Sequence, residues 1–127
     1  MQNIQILLAH LLGDYILQSS WMASGKVKKW WPAACHAAVY TISVATVLRL
    51  SWRAVVVVAV SHLLIDRFRL ARYLTFASNF LSPPSAWRKW SECNITGYYK
   101  ELPSWLTVWL MIIVDNAIHI AILALLV

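Results

Sequence analysis

Four long apolar runs, separated by basic or proline-containing connections, constrain this chain more than any other feature. They cover residues 4–22, 33–50, 54–72 or further, and 104–127. The chain has 127 residues and 61% of them are hydrophobic, against 13% charged. Soluble domains run about 45–50% apolar and about 25% charged, so an ordinary soluble globule and a disordered chain are both excluded. At about 20 residues per span, the runs predict an all-α polytopic membrane protein: one four-transmembrane-helix bundle forming a single membrane domain over residues 1–127. The opening Met1-Gln2-Asn3 carries no positive charge, so the first run is expected to be a permanent span rather than a cleaved signal.

The connections refine this picture. Pro32 suits the first turn of the second helix. The third run is short unless it continues through Arg67, Arg69 and Arg72 toward Leu81, with long side chains snorkelling to the interface. Ser82-Pro83-Pro84-Ser85 stops any helix. The segment 82–103 mixes Trp87, Trp90, Tyr98 and Tyr99 with Arg88, Lys89 and Lys100, which predicts an interfacial loop or short surface helix before the last span. Net charge is +6 and there are 8 Trp. Basic cytoplasmic loops and an aromatic belt explain both without a nucleic-acid partner. With both termini outside, nine of the 11 Lys and Arg residues fall on the cytoplasmic side, leaving Arg49 and Arg53; that orientation is the expected one.

The polar residues inside the runs carry the chemistry. Asp14, Asp66 and Asp115 all lie in apolar runs, as do His10, His36, His62 and His119. An Asp at a helix centre costs about 2.5–3.5 kcal/mol on insertion scales, so each needs a partner. His10 and Asp14 stand four apart, as do His62 and Asp66, and Asp115 and His119 repeat the spacing in reverse. Residues four apart share a helix face. In the antiparallel last helix the reversed order presents His and Asp in the same sense along the bundle axis, which predicts a His layer about 6 Å from an Asp layer. His36 is placed to join the Asp layer.

Three kinds of chemistry fit. Helix-borne His and carboxylate groups build divalent-metal sites in bundle cores. They also build proton or ion paths. They can equally form plain hydrogen-bonded pairs that hold helices together. The metal reading takes His10, Asp14, His36, His62, Asp66, Asp115 and His119 as the ligand set for one or two zinc, manganese or iron ions. Asp14, His36 and Asp66 are then the candidates for proton transfer. Arg67, Arg69, Arg72 and Gln18 are weaker candidates for a substrate headgroup.

The run Leu8-Ala9-His10-Leu11-Leu12-Gly13-Asp14-Tyr15-Ile16-Leu17-Gln18, then Trp21-Met22-Ala23 and Lys26, resembles an uncharacterised family of bacterial and phage membrane proteins, domain of unknown function 3307. The His36 segment, Ser61-His62-Leu63-Leu64-Ile65-Asp66 and Asp115-Asn116-Ala117-Ile118-His119 are similar too, the last where the family tends toward Asp-Gln-x-x-His. The resemblance implies a bacterial inner membrane location and names no activity. Many relatives continue into further spans. A fainter similarity, of character alone, is to inner-membrane metal-dependent hydrolases. Together these give the functional expectation: metal-dependent hydrolysis of a lipid or amphiphilic phosphoester, by a protein that lies in the bilayer and is a candidate for homo-oligomer formation. The alternatives are a proton- or metal-ion transporter and a non-catalytic membrane assembly protein.

Overall fold

The structure is a computed structural model that describes residues 2–127; Met1, part of the uncharged opening, lies outside them. The described residues are helical with no strand, in the order α1 (Gln2–Leu11), a π-helical turn (Leu12–Ile16), α2 (Ser20–Gly25), α3 (Trp30–Leu48), α4 (Trp52–Phe68), α5 (Ala71–Ser78) and α6 (Ser104–Leu126). The fold is therefore all-α. Among the described residues, two helices, α3 and α6, are long and apolar enough to cross a membrane. The chain divides into two compact units, Met1–Arg69 with His119–Val127, and Leu70–Ile118.

In the first unit, the first apolar run is not one helix, contrary to the expectation for residues 4–22. The backbone widens after Leu11, with the Leu17 N–H reaching the Leu12 carbonyl at 3.0 Å. Ser19 is then extended, and its hydroxyl accepts from the Met22 N–H at 3.3 Å. Ser competes for local backbone bonds and favours a cap over a helix interior, so the chain stops and restarts as α2. Helix α3 contains Pro32 in its first turn, where the missing N–H has no helical partner to lose. It ends at Arg49, in the left-handed region. Ser51 caps α4 through the Ala54 N–H.

The third run also departs from expectation. Helix α4 does not continue through Arg72. It ends at Phe68, with Arg69 left-handed at φ 51° and its N–H bonded to the Asp66 and Ile65 carbonyls. This is the usual way helices terminate, here without the glycine that normally signals it. The core of the unit is Ile6, Ala9, Tyr40, Val44, Val58 and Leu123. Gly13 lets α3 approach: a Cβ there would meet Ser43 Oγ at 2.6 Å and Tyr40 Cδ2 at 2.9 Å. Gly13→Ala is expected to lower stability by about 1–3 kcal/mol. A chemical-denaturation midpoint in detergent, unchanged from wild type, would contradict that close approach.

In the second unit, α5 is followed by three short 3-10 turns, Asn79–Leu81, Pro84–Ala86 and Trp90–Glu92, within the predicted loop. The Thr75 hydroxyl donates to the Thr96 carbonyl at 2.5 Å, and the Asn79 amide donates to the Gly97 carbonyl at 2.8 Å. Gly97 has φ 89°, and a Cβ there would collide with Thr75 and the Arg72 carbonyl; only glycine combines that backbone with that contact. Tyr73 stacks on Trp90 at 4.9 Å, and Phe76 meets Trp90 edge-on at 5.1 Å. Cys93 is wholly buried, and burial, reinforced by Glu92 and Glu101, pushes its thiol pKa up.

Candidate metal centre

The π-helical turn carries Gly13 and Asp14, both buried. Such turns occur frequently at functional sites, because one extra residue re-aims a side chain without breaking the helix. Asp14 is thereby turned toward His36, in the second turn of α3, and toward the His62 and Asp66 face of α4. Asp14, His36, His62 and Asp66 are all buried, and each offers one donor atom within 4.8 Å of the others.

The distances between those donors are informative. His36 Nε2 lies 3.0 Å from His62 Nε2, 3.0 Å from Asp14 Oδ1 and 3.2 Å from Asp66 Oδ2. His62 Nε2 lies 3.5 Å from Asp66 Oδ2 and 3.9 Å from Asp14 Oδ1. Four ligands around an ion at about 2.0–2.1 Å form a tetrahedron with edges of about 3.3–3.4 Å. The five distances straddle that value. An imidazole Nε2 carries one proton or one lone pair, so it makes one hydrogen bond. His36 Nε2 faces three donor atoms of its neighbours at once, an arrangement that a shared cation satisfies and pairwise hydrogen bonds do not. The Nδ1 atoms of His36 and His62 are buried without a hydrogen-bond partner, so what draws the two rings together acts at Nε2.

Further side chains touch the four. His119 Nε2 lies 3.1 Å from Asp66 Oδ1, the carboxylate oxygen turned away from the cage. His10 Nε2 is 3.8 Å from Asp14 Oδ2, and its Nδ1 is 3.1 Å from the Tyr40 hydroxyl. Tyr40 stacks on His62 at 3.7 Å with the rings only 9° from parallel, which fixes that imidazole's plane. His10 and His119 each lie against one of the converging carboxylates, His10 near Asp14 and His119 near Asp66. Partners of this kind orient the groups that bind a metal. Asp115 sits on α6 one turn before His119, half-buried, in the second unit. Separate His and Asp layers are not seen: the rise of one helical turn separates the backbones, while His62 and Asp66 side chains close to 3.5 Å.

Lys26 also reaches the cage, although its place in a basic connection points to the membrane surface. Its Nζ donates to Asp66 Oδ2 at 2.6 Å, and lies 3.2 Å from His36 Nε2 and 3.6 Å from Asp14 Oδ1. It lies in the basic connection expected only to set orientation. Its appearance within the Leu8–Lys26 motif was the signal that it belonged to the site. Arg67 holds that connection in place. Its guanidinium donates to the Val27 carbonyl at 2.7 Å and lies over the Trp30 ring. Arg72, in the second unit, donates to the Asn94 carbonyl and to the Tyr73 hydroxyl and lies over Trp90. Arg69 is the left-handed cap of α4. The guanidinium groups of Arg67 and Arg72 thus meet groups of the chain itself, and the Arg69 backbone ends α4. Gln18 is partly buried, and its Oε1 has no hydrogen-bond partner.

A helical chain with a buried His/Asp group able to hold a metal ion is the class that fold and site define. Within it, the chain belongs to the family described as protein of unknown function, DUF3307, whose family model matches residues 3–127. No curated protein and no solved structure matches the chain.

Proposed function

We propose that this chain is an integral membrane protein that binds a divalent first-row metal between Asp14, His36, His62 and Asp66, and uses it to hydrolyse a lipid or amphiphilic phosphoester. The observation that carries the metal reading is the set of donor separations of 3.0–3.9 Å around a common centre. Neutral imidazole with carboxylate suits zinc, manganese or iron. A metal held by these four residues would acidify a water and polarise an ester oxygen. The residues of the chain then divide the remaining work. His62, clamped against Tyr40, holds position. His36 would be a ligand through Nε2, and Asp14 Oδ2, which is outside the donor set and 3.8 Å from His10 Nε2, would be the group to take a proton from water.

Several features support placement in the bilayer. Only 11% of the most apolar window of α6 is buried within the protein. Its exposed face includes Trp105, Trp109, Ile113 and Leu125, which suits lipid or a second copy of the chain. Helix α4, at 17 residues, rises about 25 Å, a little short of the roughly 30 Å hydrocarbon core. Its Trp52 and Arg53 end would meet the interface. The proposed arrangement is a four-span bundle in the bacterial inner membrane, and the basic connections favour both termini outside.

A second reading is favoured by Lys26: a buried ion cluster that is purely structural, with the ammonium as its cation. The two differ in an assay. Detergent-solubilised protein supplied with manganese or zinc is expected to release phosphate from phosphatidic acid, measured as inorganic phosphate. Asp14→Ala and His36→Ala are expected to lower that rate at least about a hundredfold. Metal-loaded wild type that releases none would end the hydrolase arm.

A further inference from the structure

The cage already contains a cation, and that cation is part of the chain. Lys26 Nζ lies 2.6 Å from Asp66 Oδ2, 3.2 Å from His36 Nε2 and 3.6 Å from Asp14 Oδ1, so it caps the face that these three donors make. An ammonium hydrogen-bonds at about 2.7–2.9 Å, too long a distance for it to sink to the centre where a metal at about 2.0–2.1 Å would sit. A divalent ion at that centre would lie about 3 Å from the ammonium, and like charges that close in a buried site repel strongly. The two cannot occupy the cage together.

The surroundings give Lys26 a way out. Its side chain is 18% exposed, whereas those of His36, His62, Asp66 and Asp14 are 1–6% exposed. Its backbone is fixed: the Lys26 N–H bonds the Met22 carbonyl, and Arg67 holds the adjacent Val27 carbonyl. Its four-carbon stem is the flexible part. Movement is thus confined to the side chain, which is the most exposed of the five.

We infer that Lys26 is a tethered cation: it closes the His/Asp cage in the metal-free protein, and a binding divalent ion expels it to the open side of the cage. There the ammonium becomes the group that receives an anionic substrate such as a phosphate. This rests on the metal reading above. It explains why an otherwise complete donor set holds a lysine, and it makes metal affinity a competition between an external ion and an internal one.

The test is equilibrium dialysis of the full chain in detergent against Mn²⁺, for wild type, Lys26→Met and Lys26→Arg. Removing the ammonium is expected to tighten the Mn²⁺ Kd at least about tenfold, while Lys26→Arg, which keeps the charge, is expected to gain less. A second measurement avoids substitution altogether. Acylation of Lys26 by an amine-reactive ester, followed by peptide mass spectrometry, is expected to run several-fold faster with saturating Mn²⁺ than without. Equal Kd for wild type and Lys26→Met, weaker binding in Lys26→Met, or unchanged acylation would overturn the tethered cation and leave the metal cage standing. Absence of Mn²⁺ binding in all three proteins would overturn both.

Discussion

Asp66→Ala is expected to cost about 3–5 kcal/mol of stability, the range for removing one partner of a buried charge cluster. Asp66 meets four side chains, as Asp14 and His36 also do, and makes the shortest of these contacts. Its Oδ2 faces Lys26 at 2.6 Å, His36 at 3.2 Å and His62 at 3.5 Å, and its Oδ1 faces His119 at 3.1 Å. Without it, the Lys26 ammonium keeps a nearest carboxylate oxygen only at 3.6 Å, on Asp14. The loss should appear in a denaturation midpoint measured in detergent, together with loss of metal binding. Asp66→Asn keeps the shape and removes the charge. It is expected to fall between wild type and Asp66→Ala in stability and to bind metal no better than Asp66→Ala. A fully stable Asp66→Ala protein would show that the cluster is not held by this carboxylate.

Tyr40→Ala carries the second large effect. Tyr40 is 1% exposed, belongs to the core cluster, stacks on His62 and meets His10 through its hydroxyl. Truncating a buried aromatic side chain costs about 3–5 kcal/mol. Tyr40→Phe keeps the stack and gives up one hydrogen bond, about 0.5–1.5 kcal/mol. The pair of variants separates two roles. Metal affinity should survive in Tyr40→Phe, because the ring that orients His62 remains, and fall in Tyr40→Ala. Equal metal affinity in both would mean that the stack does not position His62.

The parts of the molecule that were legible in the sequence are those written in short-range spacing. Long apolar runs marked where helices lie, and four-residue spacing marked His10 with Asp14 and His62 with Asp66 as helix-face pairs. The unexpected parts are long-range or turn on a single backbone angle. Arg69 ends α4 in a left-handed conformation that usually calls for glycine, so nothing in its residue type announced the stop. Ser19 broke the first run because a serine cap looks, in an apolar stretch, like an ordinary small polar residue. Lys26 and Arg67 were assigned to the membrane surface by their charge. Their real partners are 40 residues away, Lys26 on Asp66 and Arg67 on the Val27 carbonyl, and no local pattern encodes that. Which imidazoles converge was equally hidden. His10 and His36 look alike in sequence, and only the packing of α3 brings His36 Nε2 to the centre.

The central claim is the metal cage, and its most direct measurement is metal content. Protein purified in detergent without chelators, equilibrated with Mn²⁺ or Zn²⁺ and dialysed against metal-free buffer, should be analysed by inductively coupled plasma mass spectrometry beside the Asp14→Ala, His36→Ala double variant. The account predicts about one divalent ion per wild-type chain and less than about a tenth of that in the variant. Wild-type protein that retains no ion after equilibration, while still folded by circular dichroism, would contradict it.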